Sequence, residues 1–95
     1  MPRDISITDV RFLAARPDQI STGLLGWVSL VVNVRLRLDG IALRRTADGR
    51  LALSFPARRD AAGRQHSYVR PLDDRTRREI EHQVFAALQL EEAAR

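Results

Sequence analysis

The sequence predicts an α+β domain in which an antiparallel sheet of about five strands carries a C-terminal helix on one face. Hydrophobic residues recur at every second position in several stretches between residues 5 and 70, which is the period of a strand with one buried face. Turn signals such as Asp39-Gly40 and Asp48-Gly49 separate these stretches. From Asp73 onward the hydrophobic spacing changes to three and four residues, the period of a helix. A run of strands followed by a helix is typical of the α+β class.

The strands are predicted in chain order as follows. Ile5 to Ala14 forms a first strand, with a change of parity near Thr8–Asp9 that predicts a bulge or a bend. A loop at 16–23 follows, and then the clearest pattern in the chain, from Leu24 to Leu38. Every even position of that segment except Gly26 is aliphatic, which predicts one long strand.

Three shorter strands are predicted after the Asp39-Gly40 turn. They cover Ile41 to Thr46, Leu51 to Phe55, and Arg64 to Arg70. Pro56 ends the second of these strands, and residues 57–63 form a basic turn before the third.

The helix is predicted by a hydrophobic stripe and by a capping residue. Its apolar face consists of residues at the spacing i, i+4, i+7 and i+8, namely Ile80, Val84, Ala87 and Leu88. Asp73 or Asp74 can cap its first turn, and Thr76 with Glu79 offers an alternative capping box.

Length and composition limit the class of protein. The 95 residues correspond to one domain, 1–95, and a hydrophobic fraction of 44% with a charged fraction of 29% indicates a globular chain. The chain has no cysteine, which excludes disulfides, thiolate metal sites and a cysteine nucleophile. The longest apolar stretch, Leu24 to Val32, is too short to cross a bilayer, and no signal-peptide core follows the first residues. We therefore expect a cytoplasmic protein without a membrane partner.

The positive charge is concentrated in the middle of the chain. All 16 basic residues are arginine. Residues 44–78 contain ten arginines and four acids, whereas residues 1–43 carry a net charge of +1 and residues 79–95 one of −3. A basic block of this kind suggests a polyanionic partner. A GC-rich genome would explain the preference for arginine, and a solvated charged face would explain the block.

No arrangement of residues suggests catalysis. The two histidines, His66 and His82, lie apart in a strand and on the polar side of the helix. Most of the aspartates occupy turns and caps, where backbone hydrogen bonding alone favours them. The sequence lacks glycine-rich phosphate loops and paired histidines at metal-ligand spacing. The sequence therefore predicts a protein that is not an enzyme and has no cofactor, metal or small-molecule substrate.

The basic block supplies the candidate binding residues. Three arginines crowd the first turn of the helix, where each cation costs about 0.3–1 kcal/mol against the helix dipole. Either Asp73 and Asp74 compensate for them, or they form a phosphate site with the helix N-terminus. The principal candidates for phosphate contact are Arg58, Arg59, Arg77 and Arg78. The secondary candidates are Arg64, Arg75 and Tyr68, the last being the aromatic ring nearest the basic turn.

Several segments together resemble the SpoVG family of stage V sporulation protein G, or septation-regulator, proteins. The segment Phe55-Pro56-Ala57-Arg58-Arg59-Asp60-Ala61-Ala62-Gly63, followed by Pro71-Leu72 and a helix, is similar to the family's Pro-x-basic-Arg turn and its Pro-Ile or Pro-Leu pair. Further similar segments are the opening strand Ile7-Thr8-Asp9-Val10-Arg11, the apolar strand Leu51 to Phe55, and the helix start Thr76-Arg77. The resemblance spans residues 5 to 88.

The chain also departs from this family. Glu79 stands where the family often has a basic residue, and Arg78 stands where it has a small one. The loop at 16–23 and the entry to the long strand differ as well. The chain therefore looks like a divergent member of the family. The resemblance implies a small dimeric α+β protein that binds DNA and RNA and regulates septation, sporulation or gene expression.

Two further hypotheses accompany this one. The long strand has a second apolar face near Leu25, Trp27 and Val31, which one helix cannot cover, so a two-fold homodimer is expected to bury it. A dimeric protein-interaction adaptor without nucleic-acid binding fits the same sequence, and a small-ligand or enzyme domain is the third alternative. The sequence does not choose between DNA and RNA.

Overall fold

The computed structural model describes residues 5–90 and confirms the α+β class. Its elements are β1 (Ile7–Ala14), α1 (Pro17–Ile20), β2 (Leu24–Val32), β3 (Leu36–Arg45), β4 (Leu51–Ser54), β5 (Ala57–Arg59), β6 (Gln65–Ser67) and α2 (Asp74–Ala87). Strands β1 to β4 form an antiparallel sheet in chain order, and β5 and β6 form a separate two-stranded ribbon. Helix α2 packs on one face of the sheet. None of the described helices is long and apolar enough to cross a membrane.

The core lies between the sheet and α2. Its buried side chains are Val28, Leu30, Ile41, Leu43, Leu51, Leu53, Ile80, Val84 and Phe85. The predicted helical stripe is confirmed at Ile80 and Val84, and Leu88 is partly buried against the same core. The prediction is wrong at Ala87, which is exposed, and Phe85 is buried in its place. Each fully buried aliphatic side chain contributes about 1.5–3 kcal/mol relative to an exposed one. This packing attaches the helix firmly to the sheet.

The predicted long strand from Leu24 to Leu38 is wrong, because the chain reverses direction within it. Asn33 and Val34 both have positive φ, at 51° and 63°, and Arg35 N donates to Val32 O at 3.0 Å. This is a β-turn of the type that requires positive φ at both central residues. Val32 pairs with Leu36 across the turn, so the even-numbered residues face the same side of the sheet before and after it.

The predicted Asp39-Gly40 turn is also wrong, because both residues lie inside β3. Val28 pairs with Ile41 and Leu30 pairs with Leu38, so two residues of β3 lie opposite one residue of β2. This is a β-bulge, and Gly40 supplies its positive φ of 75°. The bulge predicted in β1 is confirmed, with a register shift after Thr8.

The region after Pro56 differs from the prediction in its details. The basic turn is shorter than predicted, because Arg58 and Arg59 lie in β5. The last strand, predicted over residues 64–70, is limited to β6 and pairs with β5 instead of joining the main sheet. The predicted loop at 16–23 contains the four-residue helix α1. The Asp73 cap is confirmed, since its Oδ1 accepts a hydrogen bond from Thr76 N at 2.8 Å.

Two polar side chains of α2 bind the two edge strands of the sheet. Glu81 Oε2 accepts a hydrogen bond from Leu53 N in β4 at 3.1 Å. Gln83 Oε1 accepts from Ile7 N in β1 at 2.9 Å, and its Nε2 donates to Ile5 O at 3.1 Å. These bonds use backbone groups that an edge strand otherwise leaves free. They fix β4, and with it the start of the ribbon, relative to the helix.

Candidate nucleic-acid interface

The β5–β6 ribbon separates the two adjacent arginines that the sequence groups together. Arg58 pairs with His66, and Arg59 pairs with Gln65. Cross-strand partners project to the same face, and neighbours along a strand project to opposite faces. Arg58 and His66 therefore lie on one face of the ribbon, whereas Arg59 and Gln65 lie on the other.

Asp60 organises the turn at the end of the ribbon. Its Oδ1 accepts hydrogen bonds from the backbone N of Ala62 and of Arg64, each at 2.9 Å. Its Oδ2 lies 2.7 Å from His66 Nε2 and 3.9 Å from Arg64 Nε. The hydrogen bonds from His66 and from the backbone lower the pKa of Asp60 below its usual value, so this carboxylate stays charged and offsets part of the local positive charge.

The arginines of the ribbon differ in how strongly they are held. Arg59 Nη1 donates to Gly63 O at 2.8 Å, which ties that side chain to the turn. Arg58 is exposed and forms no ion pair within residues 5–90. Tyr68 is 68% exposed, and its backbone N donates to Pro56 O at 3.0 Å, which continues the ribbon by one bond. Arg58 is thus the freer of the two principal candidates on the ribbon.

Two acidic residues of α2 form ion pairs with one of the three arginines near its start. Arg77 Nη2 lies 3.3 Å from Asp74 Oδ1, and its Nη1 lies 3.2 Å from Glu81 Oε2. Hydrogen bonds from Thr76 lower the pKa of the capping residue Asp73, and the nearby charge of Arg75 lowers it further. Arg78 is exposed and has no ion pair in the described part of the chain. Ion pairs with Asp74 and Glu81 therefore account for Arg77 and leave Arg78 available.

A groove of about 380 Å³ separates the ribbon from the start of α2. It is lined by Ser54, Phe55, Gln65, Ser67, Arg70, Pro71, Leu72, Asp73, Asp74 and Arg77. Since Gln65 lines the groove and shares a ribbon face with Arg59, that face is turned toward the groove. The structure thus places Arg59 and Arg77 on the side of the groove, and Arg58 on the opposite face of the ribbon.

Three residues of this groove were missed by the sequence analysis. Arg70 lines the groove, is exposed and forms no ion pair among the described residues. Its place in the basic block, immediately before Pro71, was the available signal. Gln65 and Ser67 also line the groove, but only the pairing of β6 with β5 shows which face they share.

Another pair of arginines from the same basic block lies elsewhere. Arg44 and Arg45 end β3, and Arg45 pairs with Leu51 at the first residue of β4. The ribbon follows the other end of β4, after Ser54. Arg45 Nη1 donates to Gly49 O at 2.9 Å. These two arginines therefore provide a matched comparison for the ribbon pair.

The comparisons with known proteins identify no family for this chain. No protein-family model matches it, and a search of the curated proteins found no significant match. Within residues 5–90, no group of three or more His, Asp or Glu side chains is placed to hold a metal ion.

Proposed function

We propose that this protein is a non-enzymatic regulator that binds nucleic acid as a homodimer, similar to the SpoVG family. The observation that carries the proposal is the concentration of arginine around the ribbon and the start of α2. Residues 58–78 contain seven arginines and three aspartates. Exposed guanidinium groups without intramolecular partners are suited to phosphate oxygens, which they bind in bidentate geometry.

The candidate residues take different parts in this proposal. Arg58 and Arg78 are free to contact phosphates directly. Arg59 donates to a backbone carbonyl and so adds positive charge at a fixed position beside the groove, whereas Arg77 is ion-paired with Asp74 and Glu81. The secondary candidates Arg64, Arg75 and Tyr68 border the same region. Phosphate contacts fix register and orientation and carry little sequence information themselves.

The face of the sheet opposite α2 supports the homodimer. Leu13, Trp27 and Ala42 pair across three neighbouring strands and so lie in one row of that face. Leu13 is 69% exposed, and Trp27 is only partly buried. Leu25, which was expected on this face, instead packs against the core, because the register shifts between Leu24 and Gly26. A two-fold dimer that buries this row would double the number of arginines presented to one ligand. Light scattering at micromolar concentration tests this part of the proposal, and a monomer mass would contradict it.

A salt titration of binding tests the proposed contacts. Each neutralised phosphate contributes about 0.9 to the slope of log affinity against log salt on duplex DNA. We expect Arg58→Ala with Arg59→Ala to weaken binding to all sequences alike and to flatten that slope. The matched control is Arg44→Ala with Arg45→Ala, at the opposite end of β4.

The outcomes separate a site from general charge attraction. Equal losses in the two double variants would show diffuse attraction by the basic block. Unchanged binding in the folded Arg58→Ala/Arg59→Ala variant would favour a protein-interaction adaptor. The resemblance to SpoVG implies a role in septation, sporulation or gene expression, and that role is part of the proposal.

A further inference from the structure

We propose that the groove between the ribbon and α2 accepts an unpaired nucleobase, so that the preferred ligand is single-stranded nucleic acid. This inference rests on the proposed function and specifies its ligand. The volume of the groove, about 380 Å³, lies within the range of small-ligand sites. A phosphate-binding surface alone does not require a concave site of this size.

The polar side chains of the groove suit the edge of a base. Gln65 and Ser67 line it, and neither side chain makes a hydrogen bond within residues 5–90. The amide of Gln65 both donates and accepts hydrogen bonds, as does the hydroxyl of Ser67. The edges of bases present donors and acceptors side by side, which such groups can satisfy together.

Apolar residues in the groove suit the faces of a base. Phe55 lines it where β4 leads into the ribbon, and Pro71 and Leu72 line it just before α2. Leu72 is 88% exposed, so its side chain remains open to contact. Proteins that bind single strands stack bases on aromatic side chains, a contact that tolerates many sequences, and pockets for an unpaired base hold it between aromatic or apolar side chains.

The charged side chains that line the groove favour a base inside it over a phosphate. Asp73 and Asp74 line it, and their carboxylates repel a phosphate placed inside. The same carboxylates accept hydrogen bonds from the amino groups of bases. Arg70 and Arg77 also line the groove, and Arg59 lies on the ribbon face turned toward it. This arrangement favours a base inside and the phosphates along the arginines.

A duplex fits this arrangement poorly, because its bases are stacked and paired. Inserting a base from a duplex requires it to be flipped out, at a cost that a single strand avoids. The same phosphate contacts therefore give tighter binding when the bases are unpaired.

Fluorescence anisotropy with three labelled probes tests the inference. The probes are a single strand of about 12 nucleotides, the matching duplex, and a strand of the same length built from abasic units. We expect the normal single strand to bind at least about fivefold more tightly than either of the others. Gln65→Ala with Ser67→Ala should remove most of that preference and leave binding of the abasic strand unchanged.

The choice of variants keeps folding separate from binding. Neither Gln65 nor Ser67 makes a side-chain hydrogen bond in the described chain, so the double variant should melt like the wild type. His66→Gln, on the opposite face of the same strand, is the matched control and should keep the preference.

Each outcome bears on a different proposal. Equal binding of the normal and abasic strands, or an unchanged preference in the folded double variant, would overturn the groove inference and leave the arginine contacts standing. Absence of binding to all three probes would overturn the proposed function itself.

Discussion

Glu81 gives a sharp test of how the helix is attached to the sheet. Its side chain is 11% exposed, and Oε2 is the acceptor for both Leu53 N and Arg77 Nη1. The Glu81→Ala substitution leaves the backbone N–H of the buried Leu53 without its acceptor. An unsatisfied buried donor costs about 1–3 kcal/mol. The other contact is weaker, because the Arg77 side chain is 39% exposed and water screens the ion pair to about 1 kcal/mol or less.

The two contacts can be separated by a second substitution. Glu81→Gln keeps an oxygen that accepts from Leu53 N and removes only the charge opposite Arg77. We therefore expect Glu81→Ala to lower the free energy of unfolding by about 2–3 kcal/mol and Glu81→Gln by about 1 kcal/mol or less. For a domain of this length, 1 kcal/mol corresponds to about 4–8 °C in melting temperature.

Thermal and urea unfolding, followed by circular dichroism, measure these differences. Arg77→Met is the control on the opposite partner, because it removes the ion pairs of Arg77 with Glu81 and with the exposed Asp74 and leaves the bond to Leu53. Its effect should resemble that of Glu81→Gln. Equal destabilisation by Glu81→Ala and Glu81→Gln would refute the reasoning, because it would assign the effect to charge. No effect of either substitution would show that Glu81 does not attach α2 to β4.

Two other predictions concern packing and pH. Gly26→Ala should destabilise the fold by about 1–3 kcal/mol through overpacking, because a Cβ there would clash with the backbone oxygen of Leu13 and lie 2.6 Å from Phe12 Cε1; a wild-type melting temperature would contradict this. Hydrogen bonds and nearby arginines lower the pKa of Asp9, Asp60 and Asp73 below the ordinary value of 3.8. As the pH falls, these carboxylates are protonated at a higher pH in the unfolded chain than in the folded one. The free energy of unfolding should therefore be constant well above pH 4 and fall as the pH drops below about 4. Melting temperatures measured from pH 7 to pH 2 check this, and a decline that begins near pH 6 would point to groups other than these carboxylates.

Features that depend on neighbouring residues could be predicted from the sequence alone. The helical stripe of Ile80 and Val84 follows from the helical period, and the Asp73 cap follows from the preference for a side-chain acceptor before the first turn. The bulge after Thr8 is visible as a change in apolar parity. The α+β class follows from the order of strand and helix periods.

Other features became visible only in the tertiary structure, for physical reasons. Three residues, Asn33 to Arg35, separate the paired residues Val32 and Leu36, so the apolar alternation keeps its parity through the turn. Val34 is also an unusual residue at positive φ. Asp39-Gly40 suits a bulge as well as a turn, because both need the positive φ that glycine adopts easily.

The candidate site also combines features that the sequence predicts with features that only the tertiary structure shows. Composition and charge located the basic block and the arginines at the start of α2. The placement of Arg58 and Arg59 on opposite faces depends on the register of β5 with β6, which charge does not encode. Arg70 and Gln65 line the groove together because the ribbon folds back beside α2, and their separation along the chain carries no trace of it. The sequence alone determined which charges the protein carries, and the tertiary contacts decided which of them share a surface.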